Sequence, residues 1–246
     1  GKINKIDKIF NLTYKQIVSI LITGTNKGIG LEFVKHYLKN NEKVIATCRN
    51  KNSAKDLLEL KNTTSNLSLV ELDVSNSNSI NEFASKITDQ PIDTFINNAG
   101  VFGPRNNEFG NFNAKEWLDV FNINTIAPLL ITQKILKNLR LGKNKKLVFI
   151  SSKVGSIEEN TGGGMYIYRS SKTALNQVIK SLSIDFKDEN FIATALHPGW
   201  VKTDMGGPNA LIDTKTSVKG MAEVIDSLVL KNSGRFYNYD GSLIPW

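Results

Sequence analysis

Short continuous apolar runs alternate along the chain with longer stretches whose apolar residues recur every three or four positions. The runs are Ile17 to Ile22, Lys43 to Cys48, Leu67 to Leu72, Ile92 to Ile96, Lys146 to Ser151 and Phe191 to Leu196, with a last short one at Arg235 to Asn238. Helical spacing lies between them, at Leu31 to Leu38, Ser53 to Leu60, Ser75 to Thr88, Trp117 to Leu139, Met165 to Phe186 and Thr216 to Leu230. Ser53 is the expected cap of the second helix. Ile80, Phe83, Ala84 and Ile87 share one face of the third. Only Pro128 interrupts the pattern of the fourth. Apolar runs without polar alternation are strands covered on both faces, and strands that alternate with helices build a parallel sheet. The fold expected is α/β: a single-domain Rossmann-type doubly wound parallel sheet of about seven strands with helices on both faces.

No linker, repeat or low-complexity block divides residues 17–246, which read as one domain. Residues 1–16 read as an extension or an added head. Ile3, Ile6 and Ile9 recur there with lysines between them, the pattern of a short amphipathic helix. That head lacks the apolar stretch of a secretory signal and is short of the Arg and Ser of a transit peptide.

Composition narrows the function classes. Hydrophobic residues make up 40% of the 246 and charged residues 22%, enough apolar surface for a sizeable core. The single cysteine, Cys48, excludes an internal disulfide and fits a reducing, cytoplasmic setting. No apolar run approaches the ~20 residues that span a bilayer, so no membrane partner is expected. The net charge of +8 raises nucleic acid as a partner. The lysines are dispersed, however, and not interleaved with aromatics. Lys143-Asn144-Lys145-Lys146, the densest patch, reads as a solvated loop before a strand, so no nucleic-acid partner is expected. A mild attraction for anionic ligands remains. No metal site is expected.

The first run leads into Thr23-Gly24-Thr25-Asn26-Lys27-Gly28-Ile29-Gly30 and then a helix. Strand, glycine-rich turn and helix are the context of a dinucleotide phosphate site. Gly24 permits the tight exit from the strand. Gly28 removes a side chain where pyrophosphate approaches the backbone. Gly30 lets the helix pack close to the sheet. Free N–H groups and the helix dipole then meet the phosphates. Gly24, Asn26, Lys27, Gly28, Ile29 and Gly30 are therefore cofactor-binding candidates, though three glycines alone also describe a structural turn. The second strand ends in Thr47-Cys48-Arg49, with no carboxylate to bond a ribose 2′-hydroxyl. Arg49 offers a fork suited to a 2′-phosphate, with Lys27 a second cation, so NADP(H) is expected over NAD(H). The bland alternative is two surface cations in a basic protein. Asp73 can accept from an adenine amino group, with the Val74 backbone on the ring, or Asp73 can cap a helix. Asn97-Asn98-Ala99-Gly100 puts small residues where a ribose would sit, and its Asn side chains can tie strand ends together.

Tyr168 and Lys172 lie four apart on a helical stretch and share a face. An ammonium near a phenol lowers the phenol's pKa, so the pair can act as a general acid toward a carbonyl oxygen. Such a pair is also common on solvated helix faces. Ser152, at the end of the fifth strand, adds a hydroxyl at the same sheet edge. Asn124 lies in the long preceding helix, where its amide can hold a water that relays protons toward Lys172, or can satisfy a helix bend.

Taken in order, Thr23-Gly24 with Gly28-Ile29-Gly30, Asn97 to Gly100, Asn124, Ser152, Tyr168 with Lys172, and His197-Pro198-Gly199-Trp200-Val201-Lys202-Thr203 cover almost the whole chain. With these residues the sequence resembles the short-chain dehydrogenase/reductase family. Gly162-Gly163-Gly164-Met165-Tyr166, Pro198 to Gly207 and Asn238-Tyr239-Asp240-Gly241 make it most similar to the sniffer-type carbonyl reductases and C-factor-like members. The resemblance implies an NADPH-dependent reductase of aldehydes, ketones or quinones with a tetrad of Asn124, Ser152, Tyr168 and Lys172. Tyr168 would donate the proton, Ser152 polarise the carbonyl, Lys172 tune Tyr168 and bind the nicotinamide ribose, and Asn124 support a water relay. Asn98, Ala99 and Gly100 would line the ribose site. Pro198, Gly199 and Val201 would contact the nicotinamide and Thr203 its carboxamide. The partners implied are a small-molecule carbonyl substrate and copies of the chain, in a homodimer or homotetramer built on the two long helices. The C-factor likeness implies an alternative, a cofactor-binding signalling protein with catalysis secondary. Ser152 and Tyr168 stand three residues further apart than is usual in the family, so Glu158 to Gly164 is expected to reshape a pocket wall. Val101, Phe102, Trp200 and Met205 follow cofactor-edge motifs and are candidates for an apolar pocket or for core packing.

Overall fold

The structure, a computed structural model, describes residues 16–106 and 108–246. The amphipathic reading of Ile3, Ile6 and Ile9 lies outside the described residues. Seven strands form one parallel sheet: β1 (Ser19–Ile22), β2 (Lys43–Cys48), β3 (Leu67–Glu71), β4 (Thr94–Asn97), β5 (Lys146–Ile150), β6 (Ile192–His197) and β7 (Phe236–Asn238). Their order is β3-β2-β1-β4-β5-β6-β7. The order reverses between β1 and β4, which opens a crevice at the carboxyl edge where such sheets bind ligands.

The unbroken apolar runs feed two cores. Ile20, Ile22, Val44 and Ala46 face one side, against α1 (Gly28–Lys39) and α8 (Thr214–Ser227). Leu21, Ile45, Phe95 and Phe149 face the other. There they meet α3 (Ser77–Lys86), α5 (Ala127–Lys134), α6 (Leu136–Leu141) and α7 (Tyr166–Asp185). Phe33 and Val34 on α1 are fully buried, and each such side chain is worth about 1.5–3 kcal/mol. That outweighs the missing side-chain cap at the α1 N-terminus, a deficit of about 1 kcal/mol.

Three expectations need correction. Ser53 does not cap a helix: its hydroxyl donates to Asn50 O at 3.1 Å. Asn50 starts a 3-10 turn over Lys51–Ser53, and α2 (Lys55–Thr63) begins after Ala54 without a side-chain cap. The third helix starts later than Ser75 because Asn76 caps it, accepting from Ser79 N at 3.1 Å. The long helix from Trp117 is four pieces. Asn113 caps α4 (Ala114–Phe121), a π turn follows over Asn122–Ile126, and α5 and α6 part at Ile135. Proline explains the π turn. A regular helix needs the N–H of residue 128 for the Asn124 carbonyl, and Pro128 has none.

Candidate active site

The glycine turn is pinned by buried hydroxyls. Thr25 N–H and Oγ1 both donate to Thr47 O, at 3.0 and 2.9 Å. Thr23 Oγ1 accepts from the N–H groups of Asn98 and Ala99, at 3.1 and 3.0 Å. Asn98 Nδ2 donates to the carbonyls of Thr23 and Gly24, at 3.2 and 3.0 Å, so this Asn ties two strand ends as expected. Gly24 has φ +65° and Gly28 φ +59°, a region glycine enters without strain. A Cβ on Gly30 would run into the Gly24 carbonyl and come within 2.6 Å of Asn98 Nδ2. The helix can pack this closely only with glycine there. Lys27 gives α1 no side-chain cap and its first turn holds no acid. The first N–H donors of α1, including those near Gly28 and Ile29, therefore have neither a side-chain cap nor an acid in their own turn, which fits a pyrophosphate. Neither threonine was among the expected site residues; the signal was a hydroxyl at the end of an otherwise apolar strand.

Arg49 is exposed at the tip of β2, with no acid in the adjoining residues. Lys27 is placed differently from expectation: its ammonium sits 2.8 Å from Asp204 Oδ2. Asp73 does not cap α3. Its Oδ1 instead accepts from the N–H and hydroxyl of Ser75, at 3.0 and 2.7 Å. Val74 follows, half-buried, at the same edge.

Ser152 follows β5, with Ser151 between, and caps a 3-10 turn over Lys153–Gly155. Its Oγ accepts the Val154 N–H at 3.3 Å, which leaves the hydroxyl's own proton to donate elsewhere. Tyr168 lies in the first turn of α7, and Lys172 one turn on, 5% exposed. A Cβ on Gly155 would stand 2.8 Å from Lys172 Cβ, so this glycine lets the Ser152 turn lie against α7. Burial pushes the Tyr168 phenol up to about 12, and its hydrogen bond with Ser152 pulls the other way. Burial also lowers Lys172 to about 8. The expected lowering of the phenol is thus not what this structure shows: burial raises it, and the opposing pull comes from Ser152 rather than from the Lys172 charge. Lys172 Nζ donates to Ile150 O at 3.0 Å and lies 5.9 Å from the centre of the Tyr168 ring.

Asn124 sits inside the π turn, 1% exposed. Its Oδ1 accepts the Val101 N–H at 2.9 Å, and its Nδ2 donates to Val101 O and Ser171 Oγ at 2.8 and 3.0 Å. Both N–H groups of the amide are committed, so holding a relay water does not fall to them. A Cβ on Gly100 would be 3.3 Å from Asn124 Oδ1 and 3.5 Å from Lys172 Nζ. The β4 exit, Asn124 and Lys172 therefore meet at one point, and Ala99 and Gly100 leave space beside it.

His197, at the end of β6, accepts the Lys153 N–H on Nδ1 at 3.1 Å. Burial and the Lys153 charge lower it to about 4, so the ring is neutral with its proton on Nε2. It fastens the residue after Ser152 to the segment that enters Pro198-Gly199. Pro198 O accepts from Ser217 Oγ at 2.6 Å, Gly199 packs on Tyr239 and Ile212, and Val201 is buried. Thr203 borders the open side of Gly28, where a Cβ would stand 3.6 Å from its Cγ2. Phe102 lies against Tyr168 with ring centres 4.9 Å apart. Trp200 and Met205 are 50% and 42% exposed, too open for core packing. Sequence offered no direct signal for the His197 contact, because it joins two strand tips.

The family model described as short chain dehydrogenase matches residues 18–211. The C-signal protein of Myxococcus xanthus is 43% identical over 67% of this chain and 98% of its own. An uncharacterised oxidoreductase of Schizosaccharomyces pombe is 32% identical over 92% of this chain and 96% of its own. Among solved structures, the carbonyl reductase Sniffer of D. melanogaster superposes with a TM-score of 0.88 at 36% identity, over 94% of this chain and all of that one. An NADPH-bound carbonyl reductase from chicken fatty liver gives a TM-score of 0.88 at 35% identity, with the same coverage. The doubly wound sheet, the glycine turn and these matches lead to one conclusion: the chain belongs to the short-chain dehydrogenase family of oxidoreductases.

Proposed function

We propose that the protein is an NADPH-dependent carbonyl reductase acting on aldehydes and ketones, quinones among them. The observation that carries this reading is the convergence of Tyr168, near enough to Ser152 to feel its hydroxyl, with the buried ammonium of Lys172 5.9 Å from the ring centre, at the sheet edge that also bears the glycine turn. Gly24 and Asn26 to Gly30 would hold the pyrophosphate, Asp73 and Val74 the adenine, and Asn98 to Gly100 the ribose. Pro198, Gly199, Val201 and Thr203 would border the nicotinamide. Arg49 would meet the 2′-phosphate. Lys27, whose ammonium has three protons, would add a second cation nearby while still paired with Asp204. The likeness to the chicken liver reductase, which binds NADPH, supports the same choice.

A reduced nicotinamide, when held by these residues, would supply a hydride for the carbonyl carbon. Tyr168 gives its phenolic proton to the oxygen, and the product is an alcohol. A phenol held near 12 stays protonated through the neutral range, the form a donor needs. The hydroxyl proton of Ser152, turned from the phenol to the substrate, would steady charge on the same oxygen. Lys172 stabilises the phenolate left behind. With the Asn124 amide committed, its backbone carbonyl is the acceptor we assign to the relay water, since Pro128 cannot serve it.

The expected dimer or tetramer would bury Leu118, Ile126, Leu129 and Ile184, exposed on α4 to α5 and on α7; light scattering reads the mass. The likeness to C-signal favours a second reading, a cofactor-binding signalling protein. Tyr168→Phe separates the two. The reductase reading expects NADPH binding to persist while carbonyl reduction falls by about 1,000-fold. Reduction that survives in Tyr168→Phe removes that reading.

A further inference from the structure

Two contacts bridge the cleft to the segment after β6. On the cofactor side, Lys27 pairs with Asp204. On the substrate side, Arg105 lies with its Cζ 4.9 Å above the Phe102 ring, and its Nη2 reaches to 3.5 Å of Met205 O. Phe102 in turn lies against Tyr168, so one aromatic ring separates the guanidinium from the phenol that we assign as proton donor. The loop carrying both residues is fixed. Val101 is clamped by Asn124, and Gly103, at φ +89°, is so close to Val120 that a Cβ would stand 2.6 Å from its Cγ2.

The partners of Arg105 orient its charge without cancelling it. A π face and a neutral carbonyl are attractive, but neither is an anion. Lys27, Lys115, Lys137, Arg140 and Lys153 each have a carboxylate within reach. Among the described residues Arg105 has none. The carboxylate beside its contact, Asp204, is occupied by Lys27. Arg169, the guanidinium at the start of α7, is spent on the carbonyls of Val154 and Gly163. A planar cation left uncompensated one ring away from the reacting group is a receptor for a carboxylate, which its fork can bind through two parallel hydrogen bonds.

Resting on the reductase reading, we infer that the substrate is an anionic carbonyl compound: an apolar, ring-sized body against Phe102, with a carboxylate on the Arg105 guanidinium. Arg105 binds the end of the substrate that does not react and so sets specificity.

The probes are 4-carboxybenzaldehyde and its neutral counterpart, methyl 4-formylbenzoate. The wild type is expected to favour the acid by at least about tenfold in kcat/KM, and Arg105→Gln to lower the acid-to-ester ratio by about 10- to 100-fold. Arg105→Lys, which keeps the charge and loses the fork, falls between them. The preference weakens as salt is raised. Terephthalate, which has no carbonyl to reduce, gives a second readout: calorimetry on the NADP-loaded protein should show its affinity falling by a similar factor in Arg105→Gln. A wild type that takes the ester as readily as the acid, or an Arg105→Gln variant that lowers both alike, overturns the inference. Failure to oxidise NADPH with any carbonyl sinks the reductase reading instead. Terephthalate bound equally by wild type and variant would then still refute the anion site.

Discussion

Lys172→Met should make the protein more stable and inactive. The ammonium is 5% exposed and, among the described residues, has a single hydrogen bond, to Ile150 O. Burial brings its pKa from 10.5 to about 8, which at 1.36 kcal/mol per unit disfavours the charged form by about 3 kcal/mol. Methionine has a similar length and no charge. Leaving the Ile150 carbonyl without its donor takes back about 1 kcal/mol, so the net gain at pH 7 is about 2 kcal/mol. For a chain of this size that raises Tm by about 4–8 °C. The pH dependence identifies the cause. Between about 8 and 10.5 the unfolded chain holds the lysine proton and the folded chain has lost it, so wild-type stability rises with pH across that window. Urea unfolding of both proteins at steps from pH 7 to 10 should show the gap closing. The series stops there because the unfolded form of Tyr168 ionises near 10, below the folded value of about 12, and its contribution then declines with rising pH. A variant less stable than wild type at pH 7, with a gap constant to pH 10, would refute the claim that desolvation governs this lysine.

Gly155→Ala places a methyl 2.8 Å from Lys172 Cβ and 3.0 Å from its backbone carbon. It should cut kcat/KM by about 100-fold by moving Ser152 off Tyr168, with circular dichroism and NADPH affinity retained; unchanged kcat/KM tells against the Ser152 placement. His197→Phe removes the acceptor of the Lys153 N–H and should lower kcat by about tenfold, while His197→Asn, which keeps an acceptor, should recover much of it. Equal losses in the two variants would assign His197 a packing role only. Arg49→Glu should shift the NADPH-to-NADH ratio of kcat/KM by about 100-fold toward NADH; an unaltered ratio removes Arg49 from cofactor choice.

The sheet was legible because each strand is covered on both faces, so its apolar run is unbroken, as at Val44 to Cys48. The glycine turn was legible because its requirements are local: a reversed φ at Gly24 and Gly28, and no Cβ at Gly30. The fourth helix was not, because its periodic residues continue through the π turn and Pro128 shows its effect only in the bonding of the preceding turn. Ser53 looked like a cap by residue type, but Asn50 had already begun the turn. The convergence of Tyr168, Lys172, Asn124 and Ser152 on one sheet edge was legible, and their electrostatic environment was not. That Tyr168 goes up and Lys172 goes down follows from burial by segments distant in sequence, and the stacking of Arg105, Phe102 and Tyr168 follows from how the β4 exit meets α7.

The opposite shifts of these two groups fix which one sets the pH limit of catalysis. Titration removes the Lys172 proton near 8, long before the phenol gives up its own near 12. By the time Tyr168 ionises in bulk, the ammonium that would stabilise its phenolate is gone. Proton transfer to a substrate at pH 7 is a different event. The phenolate then forms while the ammonium is present, 5.9 Å from the ring centre. At that separation and an effective dielectric of about 20, the attraction is about 3 kcal/mol, or about 100-fold in rate. The charge on Lys172 is therefore the quantity that activity follows, and it is lost as pH rises through about 8. Carbonyl reduction measured as kcat at saturating NADPH should fall above about pH 8 and continue downward through 10. A rate level across that range, declining only as the phenol itself titrates, would show that Lys172 contributes no charge to the transfer.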